Sequence, residues 1–376
     1  MTQNFQTSRF VALSFVAASF LTTSSVVAQE PEGVDQLEDW QQEELVSLME
    51  QTRQTVSEPS SGPAPFELGE FAYQIATDGD AYVAYTLTID PSKISTPTVA
   101  LHFFLLDPAA LAALSTAENE DSDEAPELPE AVFEDYGFID VASGGTEPIQ
   151  ISRAFTAPGG EYEAFIAIRD SNGGEEVEDE AVPSVSMALR QRVSVPDFWN
   201  GTLQTSTVIF PKVDETSGEL QLEQLRIPLT PEQLLLSPYT IGGVYRIDPK
   251  FGRVFSKEDE LFLMYVIYNP GSQDGSMPDL QIEYNFYQQA TDGEVLVNDD
   301  GEEVEEKYFN QTQPQEYNAE TIPIGFDLSL GHTLPVTQQV PLRNFPTGGF
   351  RLEIKLIDNA GSTELINDIM FTVEEA

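Results

Sequence analysis

The chain has no cysteine. That absence excludes disulfide staples, thiolate nucleophiles, cysteine metal sites and the acylated cysteine of a lipoprotein. Histidine is almost missing as well, with only His102 and His332. Zinc sites usually draw several His or Cys ligands, so little is available to build one. Cations are few: 17 Lys and Arg stand against 64 Asp and Glu, a formal net charge of −47. Such a field repels nucleic-acid phosphates and anionic lipid, and favours cations, basic proteins or no partner. Beyond the N-terminus no run reaches about 18 apolar residues, so no later membrane helix is expected. A Gly-x-x-x-x-Gly-Lys phosphate loop, a dinucleotide fingerprint and a Gly-x-Ser-x-Gly elbow are all lacking.

What is present begins with a targeting pattern. A polar start carrying Arg9 leads into an apolar stretch from Phe10 to Leu21. Small and polar residues then run to Val26-Val27-Ala28. Small side chains at the −3 and −1 positions suit signal peptidase, so residues 1–28 read as a cleaved signal peptide. Cleavage removes Arg9 and takes the net charge to −48. The expected location is secreted or periplasmic, with no membrane insertion after cleavage. Self-repulsion of this size is screened over a Debye length of about 8 Å, so stability is expected to rise with added salt.

Residues 29–61 read as a helical segment and linker. Val34, Leu37, Leu45, Leu48 and Met49 recur at roughly helical spacing beside Trp40, and Glu58-Pro59-Ser60-Ser61-Gly62-Pro63 breaks the pattern. The helix either docks on its own domain, stays loose, or meets a partner. From Phe66 the period becomes two. Val83, Tyr85, Leu87 and Ile89 alternate with Tyr82, Ala84, Thr86 and Thr88, and similar runs follow to the C-terminus. Asp107-Pro108 and Thr230-Pro231-Glu232-Gln233 signal two short helices.

The pattern repeats within the chain. Pro158-Gly159-Gly160-Glu161-Tyr162 through Asp170 is echoed by Pro346-Thr347-Gly348-Gly349-Phe350 through Asp358. Pro97 to Phe103 resembles Pro278 to Tyr284, and Ala81 to Asp90 pairs with Leu261 to Pro270 through Tyr85 and Tyr265. The fold class that follows is all-β: two tandem immunoglobulin-like antiparallel β-sandwich domains, a β-rich connector and a short N-terminal helix. The expected boundaries are 62–196, 197–239 and 240–376. Leu261, Leu263, Tyr265 and Ile267 oppose Phe262, Met264, Val266 and Tyr268, so that strand is apolar on both faces. Either the connector covers its second face or a partner does. Acidic insertions are expected as solvated loops over Glu118–Asp135, Glu175–Glu180 and Asp299–Glu306.

Candidate chemistry is sparse. A catalytic triad needs His102 or His332 beside a hydroxyl and a carboxylate, and no motif supports one. The densest carboxylates lie in the acidic loops, which fix neither the spacing nor the pKa of a glycosidase pair. Calcium is the one cofactor in view. Its oxygen ligands are offered by Asp299, Asp300 and Glu302, with a smaller candidate at Asp78-Gly79-Asp80. A solvated acidic turn is the favoured reading at both places. The expectation is a non-enzymatic interaction or scaffold protein whose partner is an envelope protein. A calcium-stabilised carbohydrate-binding module binding a glycan is the alternative, and a carboxylate-dependent hydrolase is a further one. The oligomeric state is open.

Val195-Pro196-Asp197-Phe198, Phe255 with Asp259-Glu260-Leu261, the strand ending Tyr268-Asn269, and Pro346 to Asp358 carry a resemblance. The connector and second copy resemble the C-terminal β-rich region of secreted acidobacterial VWFA-related and GWxTD-domain proteins. The resemblance implies a β-rich module and a bacterial source. The Asp-x-Ser-x-Ser cation motif and the Gly-Trp-x-Thr-Asp sequence of those families are absent here, so their functional hallmarks do not carry over.

Overall fold

Alternating side chains leave each strand one face to bury, and two such sheets close on each other. The computed structural model of the chain describes residues 38–57, 66–76, 79–94, 96, 98–117, 130–141, 148–171, 186–213, 222–224, 238–241, 245–272, 275–290, 296–298 and 301–375. The expected signal peptide, the Glu58–Pro63 linker, the Glu175–Glu180 insertion and the Thr230–Gln233 capping box lie outside these residues.

The first half comprises α1 (Asp39–Ser57), β1 (Phe66–Leu68), β2 (Ala72–Ile75), β3 (Asp80–Ile89), β4 (Thr98–Leu106), α2 (Pro108–Ala117), β5 (Phe133–Asp140), β6 (Ile149–Pro158), β7 (Gly160–Ser171) and β8 (Ser186–Val195). β3 pairs antiparallel with β1 and β2 on one edge and with β6 on the other. The facing sheet runs β5-β4-β7-β8. Val83, Tyr85 and Leu87 meet Val99, Leu101 and Phe103 between the sheets. α2 starts where expected, because the Asp107 carboxylate accepts the Ala110 N–H at 2.7 Å.

A connector follows, with β9 (Gln204–Thr205), β10 (Leu222–Gln224), β11 (Thr240–Ile241) and β12 (Tyr245–Ile247). The second sandwich is built from β13 (Val254–Ser256), β14 (Glu260–Tyr268), β15 (Leu280–Gln289), β16 (Leu296–Val297), β17 (Glu303–Val304), β18 (Glu306–Gln311), β19 (Gln315–Tyr317), β20 (Leu334–Pro341), β21 (Gly348–Asp358) and β22 (Thr363–Glu374). One sheet runs β9-β14-β20 and the other β13-β22-β21-β15-β18, with β19 also on β15. β14 and β20 therefore sit where β3 and β6 sit in the first sandwich. The row β18-β15-β21-β22 corresponds to β5-β4-β7-β8. One departure from antiparallel order is the short parallel pair of β13 with β22.

The tyrosine shared by the two copies has two fates. Tyr265 and Tyr284 place their hydroxyls 3.1 Å apart, and Tyr284 donates to Gln315 Oε1 at 3.1 Å. In the first copy Phe103 stands where Tyr284 stands. Tyr85 stacks on that phenyl ring at 4.8 Å, and its fully buried hydroxyl has no hydrogen-bond partner among the described residues. Burial pushes all three phenols well above the usual tyrosine range. Tyr85→Phe is expected to stabilise the protein by about 1 kcal/mol, and Tyr265→Phe to destabilise it by about 1–2 kcal/mol. Paired urea melts check the opposite signs.

Candidate functional site

The double-faced strand β14 joins the two halves. Leu261, Leu263, Tyr265 and Ile267 enter the second core. Met264, Val266 and Tyr268 enter the first, with Ile209, Tyr239, Ile241 and Ile247. The second face is thus covered by connector and first sandwich together. The connector reaches β14 again through an isolated antiparallel bridge between Ile209 and Met264. Tyr82 donates to the Pro238 carbonyl at 2.8 Å, Tyr239 and Thr86 share a 2.7 Å hydrogen bond, and Arg253 pairs with Glu70.

An open cleft of about 260 Å³ lies on this seam, lined by Tyr73, Thr205, Thr207, Arg253, Asn367 and Asp368 with neighbours. Several of its polar groups are engaged. Asn367 donates to Thr205 Oγ1 at 2.9 Å, Thr207 Oγ1 accepts the Tyr73 N–H at 2.9 Å, and Asp368 accepts from Arg351. Burial, reinforced by Glu161, pushes the Tyr73 phenol to about 12, so it is neutral at physiological pH. The cleft lies below the usual ligand-pocket range of about 300–1,000 Å³.

The one histidine-centred constellation was not visible in the sequence. His102 points to the outer face of β5-β4-β7-β8, away from Leu101 and Phe103. Register places Tyr136, His102, Ala167 and Ala188 in one row, with Phe138, Ala100 and Arg169 beside it. α1 lies across β4, β7 and β8 over these rows. Leu48 fills a floor made by Ala100, Ala167 and Ala188, and Trp40 meets Phe138 edge-on at 4.9 Å. α2 covers the adjoining Phe104 and Phe165 through Ala110 and Leu111.

Beneath α1 the His102 Nδ1 lies 2.9 Å from Thr52 Oγ1, and its Nε2 lies 2.8 Å from Glu134 Oε1. An ionised carboxylate only accepts, so Nε2 carries the proton. In the neutral ring Nδ1 then accepts the Thr52 O–H. The order hydroxyl–imidazole–carboxylate is that of a nucleophilic relay. Thr52 and His102 are nevertheless both 0% exposed, so no substrate reaches the hydroxyl while α1 is docked. The chain of hydrogen bonds ties a helix to a sheet. Glu134 and Asp135, expected in a solvated insertion, begin β5 instead. Asp135 lies 3.7 Å from Arg153, and burial raises its carboxyl despite that cation.

A second polar contact fixes the other end of α1. Glu44 Oε2 lies 3.1 Å from Arg169 Nε, an ion pair in which neither atom has hydrogen-bonding geometry. Burial raises the Glu44 carboxyl above its ordinary 4.5; Glu43 and Asp170 add to this, while Arg169 and Ser171 oppose it. Docked, Glu44 holds its proton more tightly than free. Its contribution to docking is full below the ordinary value and is lost as pH rises through the raised one. Amide-exchange protection of α1, corrected for intrinsic rates, should therefore fall more steeply from acid to neutral pH in the native chain than in Glu44→Gln.

The calcium candidates divide. Asp299 and Asp300 lie outside the described residues. Glu302 is exposed in the β16–β17 hairpin, where Asn298 Oδ1 accepts its N–H at 2.9 Å and Gly301 takes φ 84°. No group of three or more His, Asp or Glu placed to hold a metal ion occurs among the described residues. At the smaller candidate, Gly79 turns at φ 96° and the Asp80 carbonyl accepts the Trp199 indole N–H at 3.0 Å, while Asp78 is outside the described residues. His332 Nδ1 accepts the Asp327 N–H at 3.0 Å and serves its loop.

The residues that carried the family resemblance do structural work. Asp197 accepts the Trp199 N–H at 3.0 Å, and Phe198 is buried against Tyr268 at 5.0 Å. Asp259 accepts the Ser256 N–H at 2.9 Å and pairs with Lys250 at 3.0 Å. Asn269 takes the left-handed φ of 53° that asparagine tolerates, and donates to the Phe198 and Thr202 carbonyls.

No family model matches the chain, and no curated protein matches it. Solved structures do. Salmonella alpha-2-macroglobulin reacted with methylamine is 12% identical, over 84% of this chain and 17% of that one, at a TM-score of 0.18. Trypsin-activated alpha-2-macroglobulin from Escherichia coli is 10% identical over 84% and 17%, at 0.20. Dimeric latent PorU from Porphyromonas gingivalis is 10% identical over 85% and 21%, at 0.25. The chain thus spans about a fifth of the length of these proteins. Overlap at such TM-scores carries no argument about activity or partner. No helix among the described residues is long and apolar enough to cross a membrane, which says nothing of a β-barrel.

Proposed function

We propose that this is a non-enzymatic interaction or scaffold protein, secreted or periplasmic, that presents its two sandwiches as one body. The observation that carries the reading is the burial of β14 on both faces. A connector that only tethered two modules would leave Met264, Val266 and Tyr268 wet, whereas here they complete the first core. Fixed spacing of two binding surfaces is what a scaffold needs. The relay-like trio under α1 supports the same reading, because its hydroxyl is enclosed and serves to hold a helix. Export rests on the N-terminal pattern of residues 1–28.

The test is retention of envelope proteins on immobilised 29–376, at low and high salt, read by mass spectrometry. A defined protein that stays bound at high salt is expected, through apolar contact that salt does not screen. Retention of nothing, or only of basic proteins released by salt, removes the reading and leaves the acidity as a solubility coat.

A further inference from the structure

α1 is an addition to the repeated fold. In the second sandwich the equivalent outer face carries Gln281, Glu283, Asn285, Glu353 and Lys355 with Ile366 exposed beside them, and no helix among the described residues lies on it. In the first sandwich the same positions hold Ala100, His102, Phe104 and Ala167, which need cover. The cover is lightly anchored. Leu45 and Leu48 are its buried apolar side chains among the described ones, Val46 and Met49 face out, and the floor under Leu48 is alanine. Alanine offers little area, and apolar burial yields only about 25 cal/mol per Å². An element held this way opens at lower free energy than the sandwich beneath it.

What remains is specific. Glu44, Leu48 and Thr52 fall at i, i+4 and i+8, on one stripe of the helix. Each has its own receptor: Arg169 on β7, the alanine floor, and His102 on β4 backed by Glu134. α1 also carries Asp39, Glu43 and Glu50 against Arg53, in a chain already at −47. A helix with the same stripe and cations on its outer face would exchange repulsion for attraction.

We propose that the outer face of the first sandwich is a helix-binding groove. Its occupant is a basic amphipathic partner helix bearing carboxylate, leucine and hydroxyl at i, i+4 and i+8, and α1 is the strap that this helix displaces. The proposal rests on the interaction-protein reading and names the partner chemistry of one surface.

The native chain has no cysteine, so one thiol reports cleanly. Ala188→Cys places it under α1, and Val83→Cys places a control inside the sandwich. The probes are a synthetic 20-residue α1 peptide with lysines at its outward positions, and the same peptide with its key leucine changed to aspartate. The Ala188→Cys thiol is expected to react at least about tenfold faster than the control. The first peptide should bind most tightly at low salt, where its lysines are attracted, still bind at high salt through its apolar stripe, and change that rate, with affinity lowered about tenfold or more by Arg169→Met, which leaves the buried carboxylate without its cation. The aspartate peptide should not bind. A thiol as slow as the control, binding that salt abolishes, or equal binding of both peptides would overturn the proposal. Circular dichroism and the Val83→Cys rate show whether each variant keeps its sandwich. Retention of an envelope protein on 29–376 decides the broader reading separately.

Discussion

Val266→Asp will split one unfolding transition into two. Val266 is 1% exposed on β14, between Met264 and Tyr268, and faces the first core from a strand that belongs to the second. Its N–H donates to Ser206 Oγ at 2.9 Å and its carbonyl accepts the Ser206 N–H at 2.8 Å, so the backbone cannot turn the new charge to water without losing both bonds. Its neighbours in that core include Met264, Tyr268, Ile209 and Tyr239. A buried unpaired carboxylate costs at least about 4 kcal/mol, more than the cavity left by most truncations. The native chain should melt cooperatively in calorimetry because its halves share apolar surface. The variant should show an early transition for the first sandwich and a separate one for the second, which keeps Leu261, Leu263, Tyr265 and Ile267. Met264→Ala, a cavity without a charge, should give a smaller loss of about 2–5 kcal/mol and remain one transition. A single unshifted transition for Val266→Asp would show that the sandwiches are not coupled through β14.

Comparable losses are expected at the turn that closes the second copy. Asp358 is 2% exposed, and its carboxylate accepts the Gly271 N–H at 2.6 Å and the Gly361 N–H at 2.7 Å. Two turns far apart in the chain are thereby held together. They touch so closely that a Cβ on Gly271 would lie 2.4 Å from the Gly361 nitrogen. Asp358→Ala leaves two N–H groups without their charged acceptor and should cost about 3–5 kcal/mol. Asp358→Asn keeps one acceptor but turns an N–H donor toward another N–H, so it should recover no more than about half. Gly271→Ala forces backbone against backbone and should cost about 2–3 kcal/mol. Because both act on one contact, the double variant should lose less than the sum. Urea midpoints of the four proteins check the set, and strictly additive losses would mean that the turns are held independently.

An Asp ends the repeated segment in both copies, and the structure adds why an acid fits there in the second. Asx residues favour turns locally, but Asp358 also reaches a second turn that folds back from before β15. The same division runs through the molecule. Alternation of side chains is a property of neighbouring residues, so the all-β class, the two copies and the inward faces of β3, β4 and β21 were legible without coordinates. The cap at Asp107 was legible for the same reason, since its partner Ala110 is three residues on. Phe133 to Asp135 were misread because acidic composition outweighed a short apolar rhythm, and only pairing with β4 makes them strand. Where two faces are both apolar, or where a helix has one greasy stripe, local pattern states that burial is needed and is silent about what supplies it. Packing of the first sandwich on Met264, Val266 and Tyr268, and of α1 on the alanine floor, supplied it here. The trio Thr52, His102 and Glu134 lies on three separate elements, and three-dimensional closure alone brings a hydroxyl, an imidazole and a carboxylate within hydrogen-bonding distance.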